Sequence, residues 1–86
     1  MSVYHFWSQT CPPCQRLKPV FQDLRDDYPA VSWTSVDIRN DPQKLAAQFG
    51  ITSVPAMVSV SLDGTIRKHS GSDAIGYFKL MKETKN

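Results

Sequence analysis

An α/β fold built on a mixed four-stranded sheet is predicted by three features of this 86-residue chain. Short branched and aromatic runs alternate with stretches whose apolar residues recur every three or four positions. The first two runs are joined through such a helical stretch, and a right-handed crossover makes them parallel. The last two are joined by Asp63-Gly64, a tight hairpin turn that makes them antiparallel. The order is β-α-β-α-β-β-α, with helices on both faces of the sheet and residues 1–86 forming one domain.

Each element has its own signal. Val3–Trp7 is the first strand. Leu17, Val20, Phe21, Leu24 and Tyr28 predict an amphipathic helix, with Pro12 and Pro13 in its first turn, where amides lack intrahelical partners. Pro19 lies inside this stretch, removes one ladder bond and predicts a kink. Val31–Ile38 is the second strand; Trp33 alternates with Val31 and is expected to pack. Asp41 as N-cap, Pro42 at N1, then Leu45, Ala46, Phe49 and Gly50 give a compact second helix. Ala56–Leu62 and Thr65–Ser70 form the hairpin; Ser59 and Ser61 are expected on a partly solvated face. Ser72 or Asp73 caps a final helix carrying Ile75, Tyr77, Phe78 and Met81, in which Gly76 costs about 1 kcal/mol relative to Ala.

Composition excludes several function classes. Ten Lys/Arg against eight Asp/Glu give a net charge of +2, and the basic residues are scattered apart from a mild excess over Lys79–Lys85. A nucleic-acid binder concentrates charge on one face, so none is expected here. No apolar stretch approaches the roughly 20 residues needed to span a bilayer, and the first residues lack a secretory pattern. The expectation is an intracellular, cytoplasmic protein that makes no membrane contact. Two cysteines are too few for a disulfide-stapled domain or a zinc site of two cysteine pairs. Asp23, Asp26 and Asp27 read as a solvated helix face, and His69, in Arg67-Lys68-His69, as a surface residue.

Those two cysteines carry the chemistry. Cys11 and Cys14 are separated by two residues at a strand-to-helix junction, where their side chains can close a small, reducible ring. Cys11 falls at the helix start, where free amides and the helix dipole favour its thiolate, the species that attacks a disulfide. Cys14, one turn inside, is shielded and acts second, resolving the mixed disulfide. Three other readings compete: a structural pair, half of a metal site completed by His5 and His69, and a binding module that keeps the pair without using it. His5 and His69 are far apart in sequence, whereas zinc ligands come in close pairs, so no metal is expected.

The residues resemble the thioredoxin family over nearly the whole chain. Phe6-Trp7-Ser8-Gln9-Thr10-Cys11-Pro12-Pro13-Cys14 is similar to that family's strand end and active-site loop. Pro19 matches its helix-kinking proline, and Val36-Asp37-Ile38 its next strand. Ser53-Val54-Pro55-Ala56 matches the loop bearing its cis-proline, and Asp63-Gly64 then Gly71 its terminal hairpin. An X–Pro bond is most often trans; the resemblance implies instead a cis Val54–Pro55 bond beside the cysteines, with Val54 offering its backbone to an extended substrate. It further implies a reductant of protein disulfides needing no bound cofactor, with Trp7, Thr10, Pro12, Val54, Pro55 and Gly71 meeting the substrate. A thioredoxin reductase or a glutathione-type pool would supply electrons, and the protein would act as a monomer.

Departures from the family pattern are also legible. Thr10 stands where a tryptophan is usual, making the platform less aromatic. Pro12 replaces the common glycine, so with Pro13 two amides near Cys11 are lost, leaving those of Cys14 and Gln15. A less stabilised thiolate gives a less oxidising couple. Alternation puts Val3, His5 and Trp7 on one strand face. His5 occupies the position of a buried carboxylate and Ser35 that of a lysine across from it, so His5 is a candidate base for Cys14, against a packing role. The chain starts one strand and one helix later than a typical relative, which leaves Val31–Ile38 at a sheet edge open to weak pairing. The rival activity is that of a glutaredoxin, but the central dipeptide lacks the usual tyrosine. The sixteen-residue separation of Pro55 from Gly71 also suits the longer thioredoxin hairpin.

Overall fold

The computed structural model describes residues 1–84, so Lys85 of the basic tail lies outside the described residues. Eight elements follow in order: β1 Ser2–Trp7, α1 Pro12–Arg16, α2 Lys18–Asp27, β2 Ser32–Asp37, α3 Leu45–Gln48, β3 Ala56–Val60, β4 Ile66–Ser70 and α4 Ala74–Glu83. The four strands form one sheet in the order β2-β1-β3-β4. β1 and β2 are parallel, with His5 opposite Ser35; β1–β3 and β3–β4 are antiparallel. β2 is therefore an outer strand, and the two central strands are β1 and β3.

Strand alternation divides the core between the two faces. Val3 and Met57 pack with Leu17, Phe21, Leu24, Tyr77, Leu80 and Met81, which come from α2, α4 and the residue before α2. Phe6, Val36, Ala56 and Val58 face the other way, towards Leu45, Ala46 and Phe49. Trp33 packs against the first cluster and donates its Nε1 hydrogen to the Tyr28 carbonyl at 3.1 Å.

Several expected features are corrected. The long first helix is two helices broken at Leu17, whose backbone (φ −90°, ψ 0°) leaves the helical region. Pro19 then falls in the first turn of α2, where its missing amide costs no hydrogen bond. The second helix starts at Leu45, because Lys44 before it is left-handed at φ 55°. Asp41 still serves it from outside, accepting the Leu45 and Ala46 amides at 3.0 Å each. Ser59 and Ser61 are buried. Ser59 is satisfied by Thr84 at 2.7 Å, and Thr84 in turn donates to the Leu80 carbonyl at 2.7 Å. His69 is half-buried, hydrogen-bonded to Asp73 at 3.0 Å and edge-on to Tyr77. Gly76 is required there: a Cβ on it would lie 2.1 Å from His69 Nε2.

Candidate active site

Register explains why residues distant in sequence meet. Phe6 pairs with Ala56, and Ala56 with Ser70. The residues just past those pairs are Trp7 leading to the cysteine loop, Pro55, and Gly71. One end of the sheet therefore brings together the cysteine loop, the Val54–Pro55 loop and the β4–α4 turn.

Cys11 and Cys14 form a disulfide, with Cα atoms 5.2 Å apart. Cys11 caps α1: its Sγ accepts the Cys14 amide at 3.2 Å. The Gln15 amide goes elsewhere, to the Cys11 carbonyl at 3.2 Å, so one of the two amides expected at the sulfur is used by the helix. The break at Leu17 also shortens the helix behind Cys11, so the local Cys14 amide rather than a long dipole favours negative charge on the sulfur. Cys11 is part-exposed and Cys14 buried.

The Val54–Pro55 bond is cis. The Val54 carbonyl oxygen lies 3.7 Å from Cys11 Sγ. Pro55 is buried, and its carbonyl accepts the Gly71 amide at 3.1 Å. Gly71 has φ +126°, a region that L side chains rarely adopt. Thr10 and Pro12 are exposed on the rim, and Thr10 Oγ1 lies 3.2 Å from Ser8 Oγ.

Behind Cys14 is a cavity of about 320 Å³ whose lining includes His5, Trp7, Cys14, Lys18, Arg25 and Ser35. Trp7 donates its Nε1 hydrogen to Ser35 Oγ at 2.7 Å. His5 is 7 % exposed and stacks on Phe21 with ring centroids 3.6 Å apart. Neither His5 nitrogen has a hydrogen-bond partner among the described residues. Burial first, and the nearby Arg25 charge second, push its pKa down to about 4, so the ring is neutral at pH 7. His69 lies two strands away from His5 and is engaged with Asp73.

Thus the structure brings Cys11, Cys14, Val54, Pro55 and Gly71 to one sheet end, with Thr10 and Pro12 on the rim and His5 and Trp7 behind Cys14. Tyr77, a helix residue with no site role legible in the sequence, also reaches this end. Its place in a helical apolar stripe marks it as core, and only the position of its hydroxyl shows more.

The thioredoxin family model matches residues 1–82. The chain is 34 % identical to a thioredoxin of Chlorobaculum thiosulfatiphilum over 55 residues, covering 64 % of this chain and 51 % of that one. With a thioredoxin of Chlamydia muridarum it shares 36 % identity over 53 residues, 62 % and 51 % of the two chains. It spans about half the length of the curated relatives it matches. Among solved structures, Fasciola hepatica thioredoxin superposes with a TM-score of 0.84 at 26 % identity, over 98 % of this chain and 80 % of the other. Saccharomyces cerevisiae mitochondrial thioredoxin 3 in its oxidised form gives 0.82 at 26 %, over 95 % and 76 %. One family accounts for 82 consecutive residues and for the superposition of almost the entire backbone: the chain belongs to the thioredoxin family.

Proposed function

We propose that this chain is a thiol–disulfide oxidoreductase that reduces protein disulfides. The observation that carries the reading is the Cys11–Cys14 disulfide at the sheet end, its outer sulfur flanked by the Cys14 amide and the Val54 carbonyl. In the reduced form, the Cys11 thiolate attacks one sulfur of the substrate disulfide and the other leaves as a thiolate. Cys14 then loses its proton and attacks the Cys11 sulfur of the mixed disulfide, releasing the second substrate thiolate. Two electrons pass to the substrate, whose two thiolates take up the proton lost by Cys14 and one from solvent, and the pair ends as a disulfide. A thioredoxin reductase or a glutathione-type thiol restores the dithiol, and no bound cofactor enters the balance. The exposed rim at Thr10 and Pro12 and the Val54 backbone suit an extended peptide lying across Cys11. With one amide on its sulfur, the Cys11 thiolate is modestly stabilised, which favours the reducing direction in a reducing compartment such as the cytoplasm.

His5 enters as the acceptor of the Cys14 proton from the sheet side, since both line one cavity. A ring whose conjugate acid titrates near 4 is a weak base, so the transfer is uphill and resolution is the step it would limit.

Substrate trapping tests the function. Cys14→Ser should accumulate mixed disulfides with proteins through Cys11, and Cys11→Ser should accumulate none. If Cys14→Ser traps nothing and Cys11 alkylates with the pH dependence of a free thiol, the chain is a redox-inert interaction module. Glutathione-dependent turnover on a small mixed disulfide, without protein-disulfide reduction, would favour the glutaredoxin-like activity. Among the described residues no helix is long and apolar enough to cross a membrane. Monomeric action is part of the proposal, and sedimentation at assay concentration checks it.

A further inference from the structure

We propose that Tyr77 is a positioning residue for substrate: its hydroxyl latches the Val54–Pro55 loop to the β4–α4 turn and so fixes the backbone that an extended disulfide substrate must meet. This rests on the reading of the cysteine pair given above. Tyr77 is fully buried, on α4, yet its hydroxyl lies 2.6 Å from the Gly71 carbonyl and 3.0 Å from the Pro55 carbonyl. One phenolic proton is shared between two backbone acceptors, from segments that are sixteen residues apart.

The remaining hydrogen bonds make this a closed figure. The Gly71 amide also donates to the Pro55 carbonyl, so that carbonyl receives two donors, one from each side of the turn. Pro55 itself has no amide with which to hold the loop. The residue before it presents the carbonyl nearest the outer cysteine sulfur, at 3.7 Å. Movement of Pro55 therefore moves the substrate-facing backbone directly.

The tyrosine is itself held. Phe21 packs edge-on to its ring from α2, with centroids 4.9 Å apart, and His69 does so from β4 at 4.7 Å. Burial, with the Asp73 charge nearby, raises the phenol pKa far above neutrality, so the hydroxyl stays a donor throughout the working pH range. A phenylalanine would fill the same space in the core and keep both ring contacts. Only the hydroxyl is explained by the loop.

Tyr77→Phe removes the donor and keeps the ring. Two disulfides distinguish a latch from a packing role: insulin, which lays an extended backbone along the loop, and a small aromatic disulfide, which meets the outer sulfur alone. The expected result is a rise of about fivefold in KM for insulin, the equivalent of one ordinary hydrogen bond. Its kcat and the small-disulfide rate should stay within twofold of the parent. Equal loss on both substrates, or no change on either, overturns the proposal. Amide exchange keeps the two readings separable: the Gly71 amide should exchange severalfold faster in Tyr77→Phe while amides of β1 and α2 do not change. If the parent reduces neither disulfide, the oxidoreductase reading fails by itself, and unaltered Gly71 exchange then rejects the latch independently of activity.

Discussion

His5 shows how one buried residue couples the site to pH. Its pKa falls from the ordinary 6.5 to about 4 on folding, so between those values the unfolded chain binds a proton that the folded chain does not. The stability it protects is therefore complete above about pH 6.5 and is lost as pH falls towards 4, by at most about 3 kcal/mol. Of the two cations on the cavity wall, Lys18 and Arg25, it is the Arg25 charge that reinforces that sign. Asp63, held below the usual carboxylate range by the Thr65 amide, and Asp73, by His69, act in the same direction only at more acid pH. Urea unfolding of His5→Phe, which keeps the stack on Phe21, should show a flatter pH dependence between 6.5 and 4. For catalysis, His5→Ala with Cys14 intact should slow resolution of a mixed disulfide formed at Cys11 while leaving the first attack intact. An unchanged resolution rate and pH profile would assign the ring to packing alone.

At the scale of elements, the short α3 concentrates two opposed effects. Lys44 is left-handed immediately before it, a conformation that costs a side-chain-bearing residue about 1 kcal/mol. Asp41 offsets this by accepting two first-turn amides. Lys44→Gly should raise the unfolding free energy by about 0.5–1 kcal/mol, and Asp41→Ala should lower it by about 1–2 kcal/mol, both readable by urea denaturation. This is also where the sequence is least transparent. Asp-Pro is the signature of an N-cap followed by N1, but here the carboxylate reaches across a turn to a helix that begins later. Leu17 likewise gives no sign of a break, because its apolar side chain keeps the helical period across the interruption. The strands and the antiparallel sense of the last two are far more legible, since alternation and the Asp63-Gly64 turn act within a few residues.

For the molecule as a whole, the sequence conveys which residues form the site better than what covers each face. The cysteine spacing and the Ser53-Val54-Pro55-Ala56 segment mark one end of the sheet. Small polar residues such as Ser59 carry no signal of what lies above them, and a solvated face and a satisfied buried one read alike. Docking of α4 resolves this one: Thr84 gives its proton to Leu80, so Ser59 donates to Thr84. Thr84→Val should cost about 1–3 kcal/mol by stranding the Ser59 hydroxyl, whereas Ser59→Ala combined with Thr84→Val should recover most of that loss. A thermal-denaturation double-mutant cycle measures the difference. The uncompensated variant should also loosen α4, the helix that carries Tyr77.

The pairing of Phe6 with Ala56 joins residues fifty positions apart. Both ends of the redox site hang on that pairing, so the site closes only when a long-range contact forms. On the ribosome, Cys11 and Cys14 emerge long before β3 and α4 can enclose them. Until then they are an unprotected dithiol, open to any oxidant and without the neighbours that give the pair its selectivity. The central strand that makes the folded site rigid thus also sets the interval in which its chemistry is unguarded.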